Sequence, residues 1–166
     1  MPNGRASFTG KNKYMQSGAI LFGVLVMLLI VGFTLGEAGA LWSQARKHDR
    51  EQELLKVGDK IRIAIGQYYN QTPGPVKQYP RSLEALLKDD RFQLPKRYLR
   101  QIYNDPTTGR PSWGVLEAPS GGIMGVYALG SETPSKIANF RPIYKLFENK
   151  KTYSDWIFAY SPELDI

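Results

Sequence analysis

Cysteine is absent from this chain and histidine occurs once, at His48. The first absence excludes a disulfide framework, a thiolate metal site and a thiol nucleophile, and it fits a reducing or an oxidising compartment equally. The second removes most metal and acid–base chemistry, because His48 has no carboxylate spacing such as HExxH around it and reads as a solvated helix residue. Acidic side chains are missing from the first 18 positions, no charge of either sign falls between Tyr14 and Gly36, and no proline interrupts Ala19–Asn70. Nor does a phosphate-binding loop follow any expected strand, since Gly121–Gly122 sits in a turn with no helix after it. The net charge of +7 would suit nucleic acid, but Asp49, Glu51, Glu53, Asp59 and Glu84 interleave with the bases and leave no continuous basic stripe. No nucleic-acid partner is expected.

What the chain has in place of these is a long apolar run, AILFGVLVMLLIVGFTL from Ala19 to Leu35. The uncharged stretch Tyr14–Gly36 holds 23 residues. At about 1.5 Å per residue it reaches about 34 Å, enough for a hydrocarbon core near 30 Å. A membrane helix over 19–42 is therefore expected, preceded by a basic leader, 1–18, and followed by a domain, 43–166. A secretory signal peptide is the rival, but its apolar run is usually only about 7–15 residues. Arg5, Lys11 and Lys13 hold the N-terminus on the cytoplasmic side, so the domain lies on the export side; Arg46, Lys47 and Arg50 on the far flank are accompanied by acids. Gly32 and Gly36, extended by Ala40, form a small-residue spacing that lets a second helix approach closely in lipid.

Helical signal continues past the apolar run. Leu54, Val57, Ile61, Ile65 and Tyr68 recur at three- and four-residue spacing, with Lys56, Asp59, Lys60 and Arg62 elsewhere on the wheel. This predicts one helix from Ala19 to about Tyr69, stopped by Pro73 and Pro75 around Gly74, whose second half buries those five residues as domain core. Ser82 is a candidate cap for a helix Leu83–Asp89, and Leu94, Tyr98, Leu99 and Ile102 suggest a further turn or two after Pro95. Asp89–Asp90 reads as a solvated pair at a helix end. NDPTTGRP (Asn104–Pro111) is a turn, and Ser112–Glu117, Ile123–Leu129 and Trp156–Tyr160 read as strands, the first two a hairpin about Pro119–Gly122. Tyr68, Tyr69, Trp113, Tyr127, Trp156 and Phe158 fall on the expected core faces. The fold class is α+β: a long N-terminal helix packed on a small antiparallel β-sheet. The tail from Thr133 reads equally as core or as a partner loop.

A basic leader ending in glycine, an apolar helix directly after it, an amphipathic continuation and a small sheet: in this order the chain resembles a type IV pilin-like protein, most closely the pseudopilins of type II secretion. Gly18 matches the glycine before the prepilin peptidase cut, and Ala19 the new N-terminus. NDPTTG followed by GGIMGVYALGSE is similar to the major pseudopilin's Asn-Asp-Pro turn, strand, and strand ending in Leu-Gly before an acidic residue. The likeness covers Met15 to Glu132. It implies a pilin-like fold, processing with methylation, and a place in the bacterial inner membrane with the C-terminal domain in the periplasm. It implies other pseudopilins or pilins, the inner-membrane assembly platform and the peptidase as partners, and a structural role with no catalysis.

Two departures refine that expectation. The fifth residue after the cut is Gly23, where the family has a glutamate whose carboxylate offsets a neighbouring subunit's terminal ammonium. A charge buried unpaired costs several kcal/mol, so a subunit with Gly23 should pack poorly beneath another; in the family, minor pseudopilins lacking the glutamate can sit at the fibre tip, and the resemblance thus implies a minor or tip subunit, or an anchor that never polymerises. In the loop where the major pseudopilin binds calcium, Glu132 is the only obvious acid, a poor set for a cation wanting about six to eight oxygens. No cofactor is expected, with Glu132 as a weak calcium candidate. The reading is thus a minor or divergent pseudopilin, with an uncleaved single-pass anchor binding another envelope component as the alternative.

Overall fold

The computed structural model describes residues 14–163, with the side chains of 14–17 and 34–41 outside that description. Of the leader, 1–18, residues 1–13 therefore lie outside the described residues. The chain divides into two units, Met1–Ala45 and Arg46–Ile166.

Helix α1 runs Tyr14–Asn70, ending within a residue of the position expected from the apolar spacing. No basic residue stands in its last turn. The orphan carbonyls there draw cations from further along the chain: Arg91 Nη2 donates to the Tyr68 carbonyl at 3.0 Å and Lys77 Nζ to that of Asn70 at 3.0 Å. Thr72 Oγ1 adds a bond to the Tyr68 carbonyl at 3.1 Å, and Gly74 then turns the chain away with φ +84°.

In the second unit, three strands form one antiparallel sheet in the order β1-β2-β3: Gly114–Glu117, Ile123–Tyr127 and Ile157–Ala159. Each lies inside the segment expected to be a strand. Val115, Val126 and Phe158 share one cross-strand row. Val126 and Phe158 are fully buried there, while Val115 on the edge strand is exposed. The fold is thus α+β, as the patterning implies. The buried hydrophobic residues of α1 are Leu54, Val57, Ile61, Ala64, Ile65 and Tyr68, so all five expected core positions are in the core. Full burial of each aliphatic side chain contributes about 1.5–3 kcal/mol.

The segments between differ from expectation. Leu83–Leu86 is a single 3-10 turn, and the Ser82 side chain makes no capping bond to it. Residues 96–102 form no helix. The backbone there is used for pairing, with Asp89 and Lys96 forming an isolated bridge and the Tyr98 and Leu99 N–H groups both bonding the Leu86 carbonyl. Leu94 is exposed rather than packed. Asp89 and Asp90 are not a solvated pair either: Asp90 faces Lys88 at the surface, but Asp89 is buried against Arg91. The tail from Thr133, which the sequence leaves open, contributes aromatic side chains to the core, while much of the rest of it is exposed. Its 3-10 turns Pro142–Phe147 and Tyr153–Asp155 bury Tyr144, Phe147 and Tyr153, and Phe147 stacks on Trp156 with ring centroids 5.5 Å apart.

Helix and sheet meet at Gly58. A Cβ there would lie 2.5 Å from the Phe158 ring. Replacing Gly58 by alanine should gain about 1 kcal/mol of helix propensity and lose about 1–3 kcal/mol to overpacking. Gly58→Ala is therefore expected to lower the urea midpoint; a raised midpoint would show that the contact can yield.

Candidate functional site

The residues expected to pack against other helices lie in the first unit. Every large apolar side chain from Ile20 to Phe33 is exposed, from Val26 at 39% to Leu29 at 73%. Gly18, Gly23 and Gly32 have nothing within 4 Å of where a Cβ would stand, and Ala19 is exposed. Gly36 and Ala40 belong to α1, but their surroundings lie outside the described residues. Among the described residues no helix is long and apolar enough to cross a membrane. The span expected over 19–42 includes 34–41, whose side chains are not among them.

In the second unit, the two halves of the Asn-Asp-Pro and Leu-Gly pattern are bonded to each other. Asp105 is fully buried. Its Oδ1 accepts from the Thr107 N–H at 2.8 Å and hydroxyl at 2.7 Å, and its Oδ2 accepts from the Leu129 N–H at 2.9 Å. The next residue bonds in the same way, Gly130 N–H to Thr107 Oγ1 at 3.1 Å, and any Cβ on Gly130 would lie 2.5 Å from that oxygen. The turn after Asn104 and the end of β2 are thereby one rigid corner. Glu132, just beyond, pairs with Arg50 at 3.6 Å, and its carbonyl accepts from the Tyr153 N–H. Among the described residues no group of three or more His, Asp or Glu could hold a metal ion.

Two carboxylates on α1 fasten the tail. Glu51, 2% exposed, takes the N–H groups of Ser135 and Lys136 and the Tyr153 hydroxyl on its Oε1. Burial and that hydrogen bond push the Tyr153 hydroxyl pKa up. Two turns on, Asp59 accepts from the Tyr144 hydroxyl, from Arg62 at 3.2 Å and from Arg141 at 3.2 Å. Burial acts to raise its pKa, but Tyr144 and Arg62 outweigh burial and hold the carboxyl below the usual aspartate value. A third site joins α1's end to the middle of the chain. Arg91 forks onto both oxygens of Asp89, at 2.8 and 2.7 Å, and lies 3.5 Å from the centre of the Tyr68 ring. The Tyr98 hydroxyl also donates to Asp89, and burial followed by this bond pushes it up to about 12. His48, as expected, is exposed, 2.7 Å from the Gln52 amide.

These fastenings were not legible as sites. Asp59 and Arg62 looked like solvated helix residues, and Asp105 like a turn former. Only the i, i+3 spacing of Asp59 and Arg62 and the Asp-Pro dipeptide hinted at more.

The fold and these contacts define an α+β domain in the second unit, and a helix with an exposed apolar surface in the first. No family model matches the chain, and comparison with curated proteins and with solved structures finds no match.

Asp105→Asn replaces a carboxylate serving three donors by an amide with one acceptor oxygen. Charge-assisted bonds contribute about 1.5–3 kcal/mol, so the variant should lose about 2–3 kcal/mol in urea unfolding. A loss under about 0.5 kcal/mol would mean that the corner is held by other bonds.

Proposed function

We propose that this chain is a minor or divergent pseudopilin, a structural subunit of a type II secretion or type IV pilus-like fibre, cut after Gly18 and held by its apolar helix. The observation that carries the proposal is the exposed apolar surface from Ile20 to Phe33 on the helix whose continuation, Leu54 to Tyr68, is the core of an α+β domain. Apolar exposure on that scale calls for lipid or other helices as surroundings. The Asp105 corner adds support, since it makes one unit of the two sequence segments that resemble the major pseudopilin. The role is binding and assembly, in the inner membrane with the domain on the periplasmic side, alongside the assembly platform and other pilin-like subunits.

Gly23 favours one further reading, an uncut single-pass anchor whose domain binds another envelope component. With no carboxylate at this position, a neighbour's N-terminal ammonium would be buried unpaired. The absence of native cysteine provides a clean test. Single cysteines at Leu25 and Leu29, each combined with a single cysteine placed in the apolar helix of another pilin-like subunit, should form oxidation-dependent disulfide crosslinks in cells with an intact secretion machine. Adding Gly23→Glu should raise the crosslinked fraction several-fold. A chain that stays monomeric with both cysteines would contradict the fibre and leave the anchor.

A further inference from the structure

The fastening of the tail to α1 leaves a groove beside it. It lies between α1 and the segment 136–144, has a volume of about 470 Å³, and is lined by Lys56, Lys60, Lys136 and Arg141 over a floor of Leu55 and Phe140. The volume falls in the usual range of about 300–1,000 Å³ for ligand sites. One carboxylate, Asp59, also lines it, but three groups already engage that side chain: Arg62, Arg141 and the Tyr144 hydroxyl. Lys56 reaches Glu53 at 3.7 Å in a pair with both side chains more than half exposed, which holds it only weakly. Lys136 lies 5.0 Å from the centre of the Phe140 ring and Lys60 4.9 Å from that of Tyr103. The groove thus combines a cationic rim with a half-buried aliphatic and aromatic floor.

We propose that this groove is an interaction surface for an acidic peptide segment of a different protein, one that places carboxylates on the three lysines, Arg141 being paired with Asp59, and an apolar side chain between Leu55 and Phe140. Charge decides among occupants. A second copy carries the same net +7, so self-association at this face works against electrostatic repulsion. A free inorganic anion would leave the apolar floor uncovered. If the chain is a fibre subunit, as proposed above, the partner is a neighbouring subunit with an acidic face; that assignment rests on the assembly reading, whereas the groove's chemistry does not.

The test uses the full chain in detergent and a fluorescent glutamate-rich peptide with one central leucine, against the same peptide with glutamine for glutamate. The glutamate peptide should bind and the glutamine peptide should not. The double variant Lys56→Glu/Lys60→Glu should weaken binding by about tenfold or more, while Lys150→Glu/Lys151→Glu, an equal change in net charge outside the groove lining, should leave it within about twofold. Thermal melts of both variants establish that each is folded. Equal weakening by the two variants, no binding of the glutamate peptide, equal binding of the glutamine peptide, or complete displacement by millimolar phosphate would each overturn the proposal. Peptide binding reads the groove alone and leader removal reads the assembly, so the two ideas fail separately.

Discussion

The domain depends on covering one stripe of α1. Leu54, Val57, Ile61, Ile65 and Tyr68 project from a helix that cannot bury them by itself, and a sheet of three short strands is too small to cover them all. The tail completes the cover: Tyr144, Phe147, Tyr153 and Trp156 close over the helix next to Phe158 of β3. Close approach follows from the same need, because the Phe158 ring can lie on α1 only where the helix has no side chain, at Gly58.

Polar bonds then fix what apolar burial leaves free to slide. Glu51, Asp89 and Asp105 are each almost fully buried, and each ties together segments distant in sequence: Glu51 the tail, Asp89 through Arg91 the end of α1, and Asp105 the end of β2. Donors meet both oxygens of Asp89 and Asp105 but only one oxygen of Glu51, whose Oε2 is buried without a hydrogen-bond partner; removing Arg91 from its pair with the buried Asp89 typically costs about 3–5 kcal/mol. These bonds specify one arrangement of irregular chain, which is what a domain with so little regular structure beyond α1 needs.

Much of this was legible in the sequence, for stated reasons. The spacing of Leu54 to Tyr68 and the proline pair after Asn70 marked the core stripe and the helix end, and turn residues marked the hairpin of the first two strands. The failures share a cause. Leu83–Asp89 and Leu94–Ile102 carry helical spacing, but the carbonyl of Leu86 and the backbone of Asp89 are claimed by Tyr98, Leu99 and Lys96, so tertiary pairing overrides local propensity. The tail has no period because its aromatics are brought together by 3-10 turns, one of them kinked at Tyr144. The buried acids left little local trace: the partners of Glu51 stand 84 to 102 residues away and Leu129 stands 24 from Asp105, while Arg91 and Tyr98, close to Asp89 in sequence, fall in a stretch with helical spacing.

The central claim is that this domain belongs to a processed, pilin-like subunit, and the intact mass of the membrane-extracted protein tests it most directly. The measurement is made from cells with and without a prepilin peptidase. The account predicts a chain beginning at Ala19 in the first and a full-length chain in the second. A full-length chain in both would contradict it, leaving the fold in place but not the fibre.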